Sequence, residues 1–308
     1  VINTAGGTPA ISLTVGSAPR DAAYVAAESS ASTAVFVYTV QTGDNDSDGI
    51  AIGSLNLNGG SIRDSASNPA NLSFTAPDTS GVIVDALAPE VSSVDVPADA
   101  TYGEGESLIF TVNTSEDVTV AGTPELTLTV GSSALSAVYS GGDGTSALTF
   151  SATVPAGLLD TDGISVDALN LAGGSLADAA GNPLDLTLNA VAPTSGVLVD
   201  SLAPVVSSVG VPAAATYVSG QTLAFIVNAD EPMTADTTGG TPSLAITVGS
   251  AARSAALSGV SGNAMTFTYT VQSGDSDADG VSVGALALNG GALTDASGNT
   301  LNLTLNNV

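Results

Sequence analysis

A long internal repeat constrains this chain more than any other feature. The stretch Gly43-Asp44-Asn45-Asp46-Ser47-Asp48-Gly49-Ile50 leads to Leu55-Asn56-Leu57-Asn58-Gly59-Gly60, then to Asp64 and Asn68. The order returns as Asp160-Thr161-Asp162-Gly163-Ile164, Leu169-Asn170-Leu171-Ala172-Gly173-Gly174, Asp178 and Asn182. It returns again as Asp275-Ser276-Asp277-Ala278-Asp279-Gly280-Val281, Leu286-Ala287-Leu288-Asn289-Gly290-Gly291, Asp295 and Asn299. The glycines closing the three acidic turns lie 114 and 117 residues apart. That is too long for a solenoid unit and matches one small domain. The chain therefore divides into residues 1–89, 90–204 and 205–308. The first repeat lacks its opening segment. The third stops before a counterpart of the segment from Ala192 to Pro204 that closes the second. The expectation is a window from a longer repetitive protein.

Each repeat must then close a core of its own, and its patterning says with what. In repeat two, Glu125 to Val130 alternates strictly through Leu126, Leu128 and Val130. Leu108 to Val112, Ala147 to Val154 and Val197 to Val199 also read as strands. Ile164 and Val166 share one parity and Leu169 and Leu171 the other, which predicts a bulge or sharp bend. Leu184, Leu186 and Leu188 alternate again. Seven or eight short strands with turn signals every eight to twelve residues, and no helical period, predict an all-β antiparallel sandwich of immunoglobulin type, with a barrel as the lesser alternative. The junctions Val84-Asp85-Ala86-Leu87-Ala88-Pro89 and Val199-Asp200-Ser201-Leu202-Ala203-Pro204 are short and carry a proline, which predicts stiff coupling and an elongated rod.

Thirty acidic residues face three arginines, with no lysine, for a net charge of −27. That charge repels nucleic acid and anionic membrane. The 44% hydrophobic content and the clear alternation argue against disorder. Without cysteine or histidine there is no disulfide, no thiolate or imidazole metal site, and no histidine general base. Paired carboxylates can cleave glycosides, but tryptophan, the usual sugar platform, is absent, and the expectation is no enzymatic activity.

The succession Ala-Pro-x-Val-Ser-Ser-Val, Phe-x-Val-Asn, Ser115-Glu116 or Asp230-Glu231-Pro232, and Gly-Thr-Pro-x-Leu is followed by the acidic turn, Leu-x-Leu-x-Gly-Gly and Asp-Ala-x-Gly-Asn. Together these resemble the tandem bacterial Ig-like repeats of very large secreted or surface proteins, including adhesins of the repeats-in-toxin type. The resemblance covers essentially the whole chain. It implies an extracellular or cell-surface location, calcium binding, and a role as stalk or extender. Repeat one departs from it at Ser65-Ala66-Ser67, where the others carry Ala-Gly or Ser-Gly before Asn.

Three further expectations follow. Asp44, Asp46, Asp48 and Gly49 match the first half of an EF-hand loop, as do Asp275, Asp277, Asp279 and Gly280. The twelfth position is leucine (Leu55, Leu286) rather than glutamate, so these are not EF-hands. Calcium sites and solvated aspartate turns stay open as readings of these loops. Under the usual Ig strand order, the linker residue Asp85, Glu116 in the loop after the second strand and Asp178 in the loop before the last strands share the entering end of repeat two, facing the acidic turn of repeat one. The second junction gathers Asp160, Asp162, Asp200, Glu231 and Asp295 in the same way. No basic residue is near in sequence, so calcium is the expected counter-charge. Asp85, Glu116 and Asp178 are the core ligands of the first site, and Asp200, Glu231 and Asp295 those of the second. The expected partners are neighbouring repeats and, in a fibre, other copies, with no nucleic acid and no membrane insertion. Two other roles compete with the stalk. One is a ligand-binding adhesin module, which would need an insertion or aromatic cluster in one repeat. The other is a filament subunit assembled by strand exchange between copies.

Overall fold

Strict alternation becomes burial once strands pair. In Glu125–Val130, Leu126, Leu128 and Val130 are buried while Thr127 and Thr129 stay half-exposed, because successive side chains point to opposite faces of a sheet. The computed structural model describes residues 1–305, and nearly all its regular structure is strand, in several mostly antiparallel sheets. Among the described residues no helix is long and apolar enough to cross a membrane.

Repeat two has one large sheet. Its order is Ser165–Asn170, Glu125–Val130, Ser133–Gly141, Thr145–Thr153, Ser107–Ala121 and Ser175–Ala177, and Val91–Asp95 also pairs with Ser107–Ala121. A second, small sheet sets Val197–Asp200 between Ala100–Tyr102, in parallel, and Leu159–Asp160, antiparallel. Repeat three reproduces the large sheet as Val206–Gly210, Thr222–Ala229, Ala264–Thr270, Ala251–Ser261, Ser243–Val248 and Ser282–Ala287. Repeat one keeps four strands in matching order, Phe36–Val37, Ala18–Tyr24, Ala10–Val15 and Ala51–Asn56.

The parity switch is a bulge. Thr127 pairs with Ala168 and Leu128 with Val166, so Asp167 is the extra residue. Equivalent register shifts occur at Ile11/Leu13 and Leu244/Ile246. The shift lets Ile164 and Leu169, of opposite parity, both reach the core.

Two readings differ from the fold. The Leu184, Leu186 and Leu188 stretch is not a strand. It runs beside Val91–Asp95 through the parallel bridges Glu90↔Asp185 and Val94↔Val191 and through the Asn189 side chain, whose Nδ2 donates to the Val91 carbonyl. Ala190, in the left-handed region at φ 45, breaks any continuous ladder. Glu116 lies inside one long strand, Ser107–Ala121, rather than in a loop, at the register shift between Asn113 and Val118.

Two core clusters form, one from Val91 to Val199 and one from Val206 to Leu301. Phe110, Phe150, Phe225 and Phe267 are fully buried in them. In repeat one the counterparts lie open: Phe36 is half-exposed, and Val40 and Val82 are each 47% exposed. Before Ala10 the strand Ile2–Asn3 pairs with Ser61–Ile62, as the end of Ser107–Ala121 pairs with Ser175–Ala177. We expect Phe150→Ala to cost about 3–5 kcal/mol in urea unfolding of repeat two. Phe36→Ala at the equivalent place should cost markedly less, and equal costs would show that repeat one has a closed core.

Candidate metal centre

Each junction is built by three elements. At the first, the strand Val84–Asp85 pairs with Asn45–Asp46 in the acidic turn of repeat one, with Asn45 opposite Asp85. The irregularity in Ser107–Ala121 presents Glu116. The strand Ser175–Ala177 delivers Asp178 at its end. Asp85, Glu116 and Asp178 each offer an oxygen, and these oxygens lie within 4.8 Å of one another. Asp200, Glu231 and Asp295 form an equivalent group at the second junction, by the same measure.

The Asp-Ala-x-Gly-Asn loop fixes the buried member of each group. Asp178 Oδ1 accepts from the Gly181 and Asn182 amides at 2.7 and 2.8 Å, and its Oδ2 accepts from Asn182 Nδ2 at 2.7 Å. Asp295 is held alike, by the Ser297 and Asn299 amides and by Asn299 Nδ2. The asparagines also cross the junction. Asn182 Nδ2 reaches the Asp85 carbonyl at 3.3 Å, and Asn299 Nδ2 reaches that of Asp200 at 2.9 Å. Their identity as turn formers is legible in the sequence; this second contact is not. Repeat one builds the same loop around Asp64, with Ser67 at φ 69 where the others use Gly181 and Gly298.

The electrostatics are unbalanced. Burial pushes the Glu116 carboxyl above its ordinary value, and Asp178, Asp85 and Asp117 push it further. Burial does the same to Glu231, helped by Asp295, Asp200 and Asp230. Burial also opposes ionisation of Asp178, but the Asn182 side chain and the loop amides outweigh it and hold that carboxyl below the usual range. Among the described residues the salt bridges are Arg20–Asp44 and Arg253–Asp275, and neither touches these groups. The buried Asn299 Oδ1 has no hydrogen-bond partner, although buried polar atoms are nearly always satisfied. The donor set is all oxygen, which suits a hard divalent cation such as calcium.

The acidic turns are occupied differently. The middle aspartate of each accepts two glycine amides. Asp46 binds Gly49 and Gly16, Asp160 binds Gly163 and Gly131, and Asp277 binds Gly280 and Gly249, at 2.5–2.8 Å. Gly16, Gly131 and Gly249 have φ near +60, and a Cβ there would meet the opposing carbonyl oxygen at 2.1–2.3 Å, so only glycine fits. Asp44 Oδ1 pairs with Arg20 Nε and Nη2 at 2.9 and 2.7 Å, and its Oδ2 accepts from the Tyr38 hydroxyl. Asp275 is bound in the same way by Arg253 and Tyr269. Asp48, Asp162 and Asp279 are exposed. The structure thus brings none of Asp44, Asp46, Asp48, Asp160, Asp162, Asp275, Asp277 and Asp279 into the carboxylate groups. The reason is that stronger local donors, two of them from arginines distant in sequence, hold the inner ones. A signal for this lay in the repeats themselves. Arg20, Tyr38 and Asp44 match Arg253, Tyr269 and Asp275, and all three are replaced together in repeat two by Leu135, Ala152 and Leu158.

No known protein family matches this chain, and no curated protein is similar to it.

The Arg–Tyr–Asp cluster behaves as a unit, so Asp44→Leu alone should lower the melting temperature of repeat one by leaving Arg20 and Tyr38 without their acceptor. The triple change Arg20→Leu, Tyr38→Ala, Asp44→Leu, which copies repeat two, should recover much of that loss. Calorimetry that finds additive losses would refute the coupling. The Tyr38 hydroxyl, with the Gln41 amide and Arg20, depresses the Asp44 carboxyl to about 2. Its stabilising effect is therefore complete above the ordinary carboxylate value and fades as pH falls through about 2.

Proposed function

We propose that this chain consists of Ig-like extender modules from the stalk of a long extracellular bacterial surface protein or fibre, with calcium stiffening the junctions. The supporting observation is the twin carboxylate group, repeated at equivalent places where one repeat meets the next. Three carboxylates in mutual contact without a base repel one another. Calcium takes six to eight oxygens and would turn that repulsion into a tie between linker, long strand and loop. Asp85 or Asp200 comes from the linker and the other two acids from the following repeat, so a shared ion would resist bending there.

Calcium should raise the melting temperature, and EDTA at low salt should lower it and make the chain more flexible in small-angle scattering. Affinities of roughly 0.1–1 mM are typical of extracellular calcium modules. A site with a Kd of about 0.1 mM would gain about 2.7 kcal/mol at about 10 mM calcium. Unchanged melting and scattering on chelation would remove the sites from consideration. Glu116→Gln, which removes the acid whose carboxyl value is raised, should weaken the calcium response of the first junction at least about tenfold without lowering metal-free stability.

The pH dependence carries a definite sign. Glu116 and Glu231 have raised carboxyl values, so the folded state binds more protons than the unfolded chain. Without metal, their contribution should fall as pH rises from the ordinary glutamate value through the raised one. With calcium the same window should show stability rising with pH, because only the ionised groups ligate. Identical pH profiles with and without calcium would contradict the proposal.

A further inference from the structure

Repeat two meets repeat three through backbone as well as through acids. Gly103 directly follows the strand Ala100–Tyr102, which pairs in parallel with Val197–Asp200, and it is buried. A Cβ at Gly103 would lie 2.5 Å from the carbonyl oxygen of Ser297, which belongs to the loop of residues 295–299 in repeat three. The next neighbours of that Cβ are the Ser297 carbonyl carbon at 3.6 Å and the Asp200 carbonyl oxygen at 3.8 Å. Beyond its own chain neighbours, then, nothing inside repeat two crowds this position. The same loop is tied to Asp200, at the end of the strand paired beside Gly103. Ser297 Oγ donates to Asp200 Oδ2 at 3.1 Å, and Asn299 Nδ2 donates to the Asp200 carbonyl at 2.9 Å.

The turn itself does not demand glycine. Its counterpart in repeat three begins with Val218. Both turns follow a tyrosine whose hydroxyl donates to a backbone carbonyl, Tyr102 to Ala98 at 2.9 Å and Tyr217 to Ala213 at 3.0 Å. In both, the next amide donates to a side chain further along. Gly103 donates to Glu106 Oε2 at 2.7 Å, and Val218 to Gln221 Oε1 at 2.8 Å. Gly103 is also outside the left-handed region, unlike Gly105 at φ 83. One turn with one set of hydrogen bonds thus accepts a β-branched residue in repeat three. At 103 the obstacle to a side chain is the neighbouring repeat.

We propose that Gly103 is the seat on which repeat three docks, and that the residue type at this position decides whether repeat two can hold the loop of the next repeat by direct contact, without a metal ion. Any Cβ at 103 must push the loop back by about 1 Å to reach van der Waals distance. The loop cannot yield locally, because the Ser297 and Asn299 amides both bind Asp295 Oδ1. Its retreat therefore breaks the two bonds to Asp200 together.

The test exchanges the turn in the full chain. Gly103→Val with Glu104→Ser and Glu106→Gln gives repeat two the turn of repeat three, where Gln221 already makes the needed bond. The control carries Glu104→Ser and Glu106→Gln alone. The chain has no cysteine, so Ser132→Cys and Ser261→Cys, both at exposed positions, put one spin label in each repeat. In EDTA, double electron–electron resonance should give the same narrow distance distribution for the parent and the control. The exchange should broaden it at least about twofold, since relative motion is the default between units joined by a small interface. Gly103→Ala, which adds a single methyl group, should broaden it as well, and thermal melting should be alike in all four chains. Equal widths in the parent and both Gly103 variants overturn the proposal. So does a parent distribution that is broad in EDTA and narrows only with calcium, which would assign the stiffness to the metal sites alone. A parent distribution that is narrow in EDTA and unchanged by calcium supports the direct contact whatever the fate of those sites.

Discussion

The middle aspartate of each acidic turn is the contact on which the rest of a repeat depends. Asp46, Asp160 and Asp277 each tie the turn's own glycine amide to the amide at the tip of a distant hairpin. Each carboxylate therefore satisfies two backbone donors from separate parts of the chain, and the glycine at the hairpin tip allows the approach. In repeats one and two the backbone of that same aspartate pairs with the strand leading out of the repeat. The position of the linker acids Asp85 and Asp200 is set by this node rather than by the linker itself.

From that node the two levels of electrostatics separate. Inside a repeat the acids are satisfied by amides, tyrosine hydroxyls or arginine, and they act as structure. Between repeats, Asp85 with Glu116 and Asp178, and Asp200 with Glu231 and Asp295, take part in neither of the salt bridges found among the described residues. Replacement of Arg20, Tyr38 and Asp44 by Leu135, Ala152 and Leu158 in repeat two shows that an apolar trio can substitute for the polar cluster. No such exchange occurs at the junction acids, which recur in both junctions. The polar cluster of repeats one and three is therefore interchangeable with apolar packing, whereas the junction acids appear in the same form at both junctions.

The large sheets of repeats two and three share their central strand order, and Phe225 and Phe267 match Phe110 and Phe150 in full burial. In repeat two the small sheet of Ala100–Tyr102, Val197–Asp200 and Leu159–Asp160 seals one side of that core through Val197 and Val199.

Much of this was legible in the sequence. Period-two alternation positions the strands of Glu125–Val130 and its equivalents, because burial on one face of a sheet is a local pattern. The parity switch at Ile164 and Leu169 gives the bulge for the same reason. The repeat itself points to the junction acids. Tertiary structure alone decided which carboxylates meet which donors. Arg20 reaches Asp44 across 24 residues and Asn182 reaches Asp85 across 97, and no local periodicity encodes such distances. It likewise turned Leu184, Leu186 and Leu188 from an apparent strand into a segment pinned by the Asn189 side chain, since alternation reports which side chains are buried but not whether a neighbouring backbone is free to pair.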